Sequence, residues 1–160
     1  MSKVAIDSLK GNFDYSWSLL EKFIEVCPEE VWANKFGGWP IWQNVHHALG
    51  TIDFFVRQEG EKAVESMFSH EVASLSEVAT GPVPSREEIR KLIPLMRDLA
   101  HKYFAKLSDA DLGKKNEGLS SRMPMPWTHA STCAMLSAHT MYHLGVCDAA
   151  LREKGLQGVF

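Results

Sequence analysis

The chain has 160 residues, of which 45% are hydrophobic and 23% are charged. This length and composition predict one domain over residues 1–160 with one hydrophobic core, and they exclude a disordered chain. The net charge of -3 comes without any run of Lys or Arg longer than two residues. Nucleic acid is therefore not an expected partner.

The beginning of the chain and its cysteines indicate a cytoplasmic protein. Asp7 and Lys10 interrupt the N-terminal residues before an apolar segment can develop, and no stretch reaches the roughly 18 apolar residues of a membrane span. The cysteines Cys27, Cys133 and Cys147 are widely spaced and contain no Cys-x-x-Cys pair. We therefore expect reduced thiols and no membrane partner.

The first half of the chain predicts two helices and a long connection. Apolar residues recur every three or four positions from Ile6 to about Val26, which is typical of one face of an amphipathic helix. A turn over residues 36–40 follows, and Pro40 suits the first position of a second helix that extends to about Arg57. Residues 59–84 end in a stretch rich in Ser, Thr, Gly and Pro, which predicts a long connection.

A capping box marks the start of the third helix. Ser85 and Glu88 are three residues apart, so that each side chain can bond a free backbone N–H of the other residue. The apolar pattern continues from there to Leu107. Pro94 is expected to bend this helix, because an interior proline removes one backbone hydrogen bond and clashes with the preceding turn.

The last third of the chain predicts a loop and a fourth helix. Residues 108–127 contain two glycines and two Met-Pro pairs, and they are interpreted as a second long connection. A helix then spans residues 128–154, with Gly155 as its C-terminal stop. No strand pattern of useful length is present. The sequence thus predicts an all-α four-helix bundle with long connections that leave room for a short extra helix.

Histidines supply the most informative pattern for function. His139 and His143 are four residues apart on the fourth helix, so their side chains project from one face about 6 Å apart. Such a pair can bind one metal ion, since each neutral imidazole offers a lone pair to a cation such as Zn, Ni or Fe. A chain with seven histidines also acquires such a pair by chance fairly often.

A third ligand would have to come from the second helix, where His46 and His47 are adjacent. Adjacent helical residues diverge by about 100°, so only one of them is expected to enter a site shared with the fourth helix. The apolar stripe of the second helix passes closer to His46, and periodicity alone mildly favours His46 as the inward residue.

Other metal and nucleotide sites lack their minimum parts. No Glu in the chain has a His three residues later, which excludes the paired Glu-x-x-His motifs of di-iron bundles. The chain also contains no His-Glu-x-x-His, no phosphate-binding glycine loop and no Gly-x-Ser-x-Gly.

The motifs together resemble the DinB/YfiT-like family of metal-binding four-helix bundles over nearly the whole chain. The resemblance rests on Trp39 followed eight residues later by His47, and on His139-x-x-x-His143-x-Gly145. It implies that His47, His139 and His143 are the ligands of one divalent metal ion. The chain differs from the family at the two residues that flank this glycine, where Leu144 and Val146 replace the Arg and Gln that are common there.

The resemblance also implies a function. Three protein ligands leave coordination positions open for a water or a thiol, and family members include thiol-S-transferases and a thiol-dependent isomerase. The expected partners are a small-molecule substrate, such as a low-molecular-weight thiol, and a second copy of the chain in a homodimer. The alternative is a non-catalytic, stress-related metal-binding or dimerising bundle protein.

Several further residues have both a functional and a structural interpretation. Cys147 lies one turn after His143 and is either a soft ligand or, more commonly, a buried thiol. Asp53 could hydrogen-bond a ligand imidazole or lie on the helix surface. His70, His101 and His129 are interpreted as surface or capping residues. Four side chains could line the mouth of a pocket or belong to the core: Trp42, Met123, Met125 and Trp127.

Overall fold

Four long helices form the protein, which we describe from a computed structural model of residues 2–160. They are α1 (Val4–Val26), α3 (Ile41–Val56), α6 (Leu92–Lys106) and α8 (His129–Glu153). Helix α8 packs between α1 and α3, and α6 contacts both α3 and α1, which closes the bundle. The predicted all-α bundle is confirmed, and the observed bounds of the first, second and fourth long helices lie within two residues of the predicted ones.

The core is formed by the apolar faces of these helices. The stripe predicted for α1 is buried at Ile6, Phe13, Trp17 and Ile24. The largest fully buried side chains include Trp32, which follows α1 and donates a hydrogen bond from Nε1 to the backbone oxygen of Pro84 at 2.8 Å. The predicted core is therefore present, and it also fixes the end of the first long connection.

A small antiparallel hairpin precedes α3, although the sequence pattern indicated no strand. Strand β1 (Lys35–Phe36) pairs with β2 (Trp39–Pro40) across Gly37 and Gly38. Both glycines have positive φ, 63° and 101°, which side-chain-bearing residues rarely adopt. Two-residue strands are too short for an alternating pattern, so only the glycine pair could have indicated the hairpin.

The third predicted helix is two helices rather than one bent helix. Helix α5 (Arg86–Arg90) begins with the predicted capping box of Ser85 and Glu88, and α6 begins at Leu92. The break falls before Pro94 because the proline ring would clash with the carbonyl of Arg90, four residues earlier. Pro94 thus interrupts the helix one turn upstream of its own position.

The segments between the long helices contain several short helices, whereas the sequence left room for one short extra helix. These are α2 (Glu29–Trp32), α4 (His70–Ala73), a 3₁₀ turn (Asp109–Asp111) and α7 (Glu117–Ser120). The side chain of Asn116 is fully buried and donates to Tyr103 Oη and Thr132 Oγ1, both at 3.1 Å, which ties the second connection to α6 and α8. Within residues 2–160, no helix has the length and apolar character that crossing a bilayer requires.

Candidate metal centre

Three histidines converge where α3 faces α8. One ring nitrogen from each of His47, His139 and His143 lies within 4.8 Å of the others, and the ring centroids are 4.6–5.0 Å apart. The four-residue spacing of His139 and His143 places both rings on the same face of α8, as the sequence predicts. His47 completes the cluster from α3.

His46 points away from this cluster. Its side chain is 2% exposed and its ring packs edge-on against Phe68, with ring centroids 4.7 Å apart. The apolar stripe correctly indicates that His46 is the more buried of the two adjacent histidines. It does not show that α3 is covered on two sides, by α8 and by the connection that follows α3. His46 faces that connection, while His47 faces α8.

Each clustered histidine has a polar partner for Nδ1. His47 Nδ1 donates to the backbone oxygen of Ala73 at 2.8 Å, which leaves Nε2 as the atom with the lone pair. Asn44 donates from its amide nitrogen to the Pro40 oxygen, so its Oδ1 accepts from His143 Nδ1 at 3.2 Å. The Nδ1–H groups of His47 and His143 are therefore both hydrogen-bonded on the side away from the cluster.

The third ring is held in the same way. Thr51 directs its hydroxyl proton to the backbone oxygen of His47 at 2.9 Å, so Thr51 Oγ1 accepts from His139 Nδ1 at 3.2 Å. His47 Nε2 and His139 Nε2 then face each other at 3.3 Å with a lone pair on each. Two acceptors at this distance repel unless a cation lies between them.

Burial keeps these imidazoles neutral. Burial, together with a smaller effect of the neighbouring histidines, lowers the pKa of His139 to about 4 and that of His143 to about 3. Burial also lowers the pKa of His47, although the hydrogen bond to Ala73 opposes this effect. At neutral pH the three nitrogen lone pairs are available to a metal ion rather than occupied by protons.

Comparison with known proteins assigns the family. The sequence model described as DinB superfamily matches residues 12–147. The chain belongs to the DinB superfamily. No curated protein and no solved structure gives a significant match.

The donor set of this DinB-superfamily protein fits a divalent metal ion. Two imidazole nitrogens bound to one tetrahedral ion at about 2.0–2.1 Å lie about 3.3 Å apart. His47 Nε2 and His139 Nε2 have this separation. Neutral imidazoles suit Zn, Ni and Fe alike, so the residues are compatible with metal binding without selecting the metal.

A buried glutamine holds in place the backbone segment that contacts His47. Gln43 is fully buried on α3 and donates from Nε2 to the backbone oxygens of Val72, at 3.0 Å, and Glu77, at 2.6 Å. Its Oε1 accepts from the backbone nitrogen of Ala79 at 3.0 Å. Gln43 thereby holds the segment that carries Ala73, the partner of His47.

Sequence reasoning missed the polar supports Gln43, Asn44 and Thr51. A signal was available, because all three lie within about one helical turn of His47 on the same helix. Asp53, which the sequence offered as a partner of a ligand imidazole, does not fill that role. Its carboxylate lies 3.3 Å from Arg57 and accepts from the backbone nitrogen of Val64.

The remaining candidates lie outside the cluster. Cys147 is fully buried and is not grouped with the three histidines, and burial raises the pKa of its thiol. His101 contacts Asp14 at 2.7 Å, and His129 contacts Tyr103 Oη at 2.7 Å.

A cavity of about 280 Å³ lies beside the cluster, between α3, the connection that follows it and α6. His47 and Thr51 form part of its wall, so the cavity borders the candidate metal site. None of the residues that the sequence suggested for a pocket mouth lines it: Trp42, Met123, Met125 and Trp127.

Proposed function

We propose that the protein is a metal-dependent enzyme in which His47, His139 and His143 hold one divalent ion, Zn, Ni or Fe. The proposed reaction is transfer of a low-molecular-weight thiol to a small electrophile. The observation that supports the metal site most strongly is the convergence of three buried imidazoles, each with its Nδ1 already hydrogen-bonded.

A metal ion held by three protein ligands retains an open position, at which it acts as a Lewis acid and lowers the pKa of a thiol or water. The protein itself orients the three imidazole ligands. Ala73, Thr51 and Asn44 fix the three imidazoles, so little entropy is lost when the ligands assemble. In the proposed transfer an S–C bond forms, the leaving group departs with the bonding electrons, and the thiol proton is released to solvent.

The cysteines favour a thiol supplied from outside the protein. Cys27, Cys133 and Cys147 are fully buried, and burial raises the pKa of Cys27 and Cys133 to about 12. None of them can serve as a nucleophile at neutral pH. A sulfur nucleophile in this site therefore has to be a substrate, which supports the thiol as a partner.

The test is the rate of thiol consumption with a panel of thiols and electrophiles, measured with added metal and after chelation. We expect chelation, or replacement of both His139 and His143 by Ala, to lower the rate at least about a hundredfold. His101→Gln is the matched control, since His101 lies on α6 outside the cluster.

Rates that are unchanged by chelation would overturn the proposed reaction. Stoichiometric metal binding without metal-dependent turnover of any pair in the panel would favour the non-catalytic metal-binding alternative instead. The homodimer remains a prediction, which sedimentation analysis of the full chain can check.

A further inference from the structure

The cavity beside the histidine cluster has the size of a small aromatic molecule. Its volume is about 280 Å³. An apolar protein cavity of about 150 Å³ suffices to bind benzene, so this one accommodates a single ring or two fused rings. Apolar side chains form much of its wall: Phe54, Val64, Leu92 and Met96.

The charges at this cavity select against anions. Asp53 and Glu65 line it, and no Lys or Arg does. Away from the proposed metal position, an anionic ligand would lie beside these carboxylates with no Lys or Arg side chain of the wall to pair with, which is unfavourable in a cavity with apolar walls. The chemistry of the lining therefore favours a neutral ligand.

One polar side chain of the wall lacks a partner. His46 lines the cavity, is 2% exposed and has no hydrogen-bond partner for Nδ1. A buried ring nitrogen without a partner is energetically costly. Because His46 Nδ1 has almost no accessible surface, a ligand in the cavity cannot reach it, and this part of the wall offers a ligand no polar contact through that atom.

Gly50 provides part of the space. It lies in the interior of α3, where glycine is less favourable than alanine. A Cβ atom at this position would meet nothing within 4 Å, and Gly50 lines the cavity. No backbone contact requires a glycine here, and its missing side chain leaves the cavity open.

We propose that this cavity binds the neutral, arene-sized body of the electrophilic substrate and that Gly50 determines how large that body can be. The inference rests on the proposed function, because it places the electrophile in the cavity that His47 and Thr51 border. A polar cellular thiol would not bury favourably against these apolar walls, which leaves the cavity to the electrophile.

Calorimetric titration with indole, a neutral two-ring probe with one N–H, tests the cavity directly. We expect one indole per chain, bound by metal-loaded and by chelator-treated protein alike. Gly50→Leu should weaken indole binding at least about tenfold, while metal content stays unchanged and the unfolding temperature does not fall. Gly11→Leu is the matched control, since Gly11 is an exposed helical glycine of α1.

Indole that binds Gly50→Leu as tightly as wild type, or that does not bind wild type up to its solubility limit, would overturn the proposal. A second measurement separates it from the proposed function. With 1-chloro-2,4-dinitrobenzene as a one-ring electrophile, Gly50→Leu should raise KM for this electrophile and leave KM for the thiol unchanged.

Two outcomes distinguish the claims. Indole binding that Gly50→Leu removes, in a protein without metal-dependent thiol transfer, would support the cavity and contradict the proposed function. Metal-dependent transfer whose KM for the arene is unaffected by Gly50→Leu would overturn the cavity proposal and leave the proposed function standing.

Discussion

We expect addition of a divalent metal ion to raise the unfolding temperature of the wild-type protein, and His139→Ala to abolish this rise. A ligand that binds only the folded state at about 1,000 times its Kd stabilises that state by about 4 kcal/mol. For a chain of this size each kcal/mol shifts the unfolding temperature by about 2–4 °C, so we expect a rise of about 10 °C. Differential scanning calorimetry with and without chelator measures it.

His139 is the suitable ligand to remove because it is half-buried, whereas His143 is 5% exposed and its loss would leave a void in the bundle. His101→Gln should retain the full rise, since His101 bonds Asp14 away from the cluster. A metal-dependent rise of equal size in His139→Ala would show that the stabilising ion binds elsewhere.

We expect Gln43→Met to lower both the stability of the fold and the affinity for metal. Methionine keeps the volume of glutamine but cannot bond the backbone at Val72, Glu77 and Ala79. Each buried polar group left without a partner costs about 1–3 kcal/mol, and partial rehydration of the segment reduces the sum. We expect a loss of about 2–4 kcal/mol in the free energy of unfolding, measured by urea denaturation of the metal-free protein.

The effect on metal binding follows from the position of Ala73. Once residues 72–79 are released, His47 Nδ1 loses the acceptor that orients its ring. Loss of such a partner lowers metal affinity by about 10–100-fold. Hydrogen exchange should accelerate in residues 70–79, which a general loss of core packing would not single out.

Gln157→Met, at an exposed position near the C-terminus, is the matched control. If Gln43→Met keeps the wild-type metal Kd and the wild-type exchange rates of residues 70–79, Gln43 has no positioning role.

The bundle follows directly from the sequence because long amphipathic helices carry strong periodic signals. The α1 stripe from Ile6 to Ile24 and the capping box at Ser85 are local features, and both are present as predicted. The sequence predicts a bend in the third helix, whereas the structure divides that helix at Lys91, because the clash of Pro94 acts four residues upstream. The short hairpin and α4 lack periodicity, and tertiary contacts decide whether such short elements form.

The site was only partly predictable, because it depends on contacts between distant segments. The spacing of His139 and His143 is local to α8, and it correctly predicts that both rings share one face. The choice between His46 and His47 depends on which element covers each side of α3, and periodicity along one helix does not contain that information. The resemblance to the family is what favoured His47 over His46.

The acceptor for His47 could not be read from the sequence at all. Ala73 contributes a backbone oxygen, which every residue possesses. Its position is set by Gln43, a contact across about thirty residues of connection that contains no repeating pattern.

X-ray absorption spectroscopy of the zinc-loaded protein tests the central claim, that three imidazoles bind one ion. The account predicts about one zinc per chain with three imidazole nitrogens at about 2.0–2.1 Å, and two imidazoles in His139→Ala. A wild-type spectrum without imidazole scattering, or one that His139→Ala leaves unchanged, would contradict it.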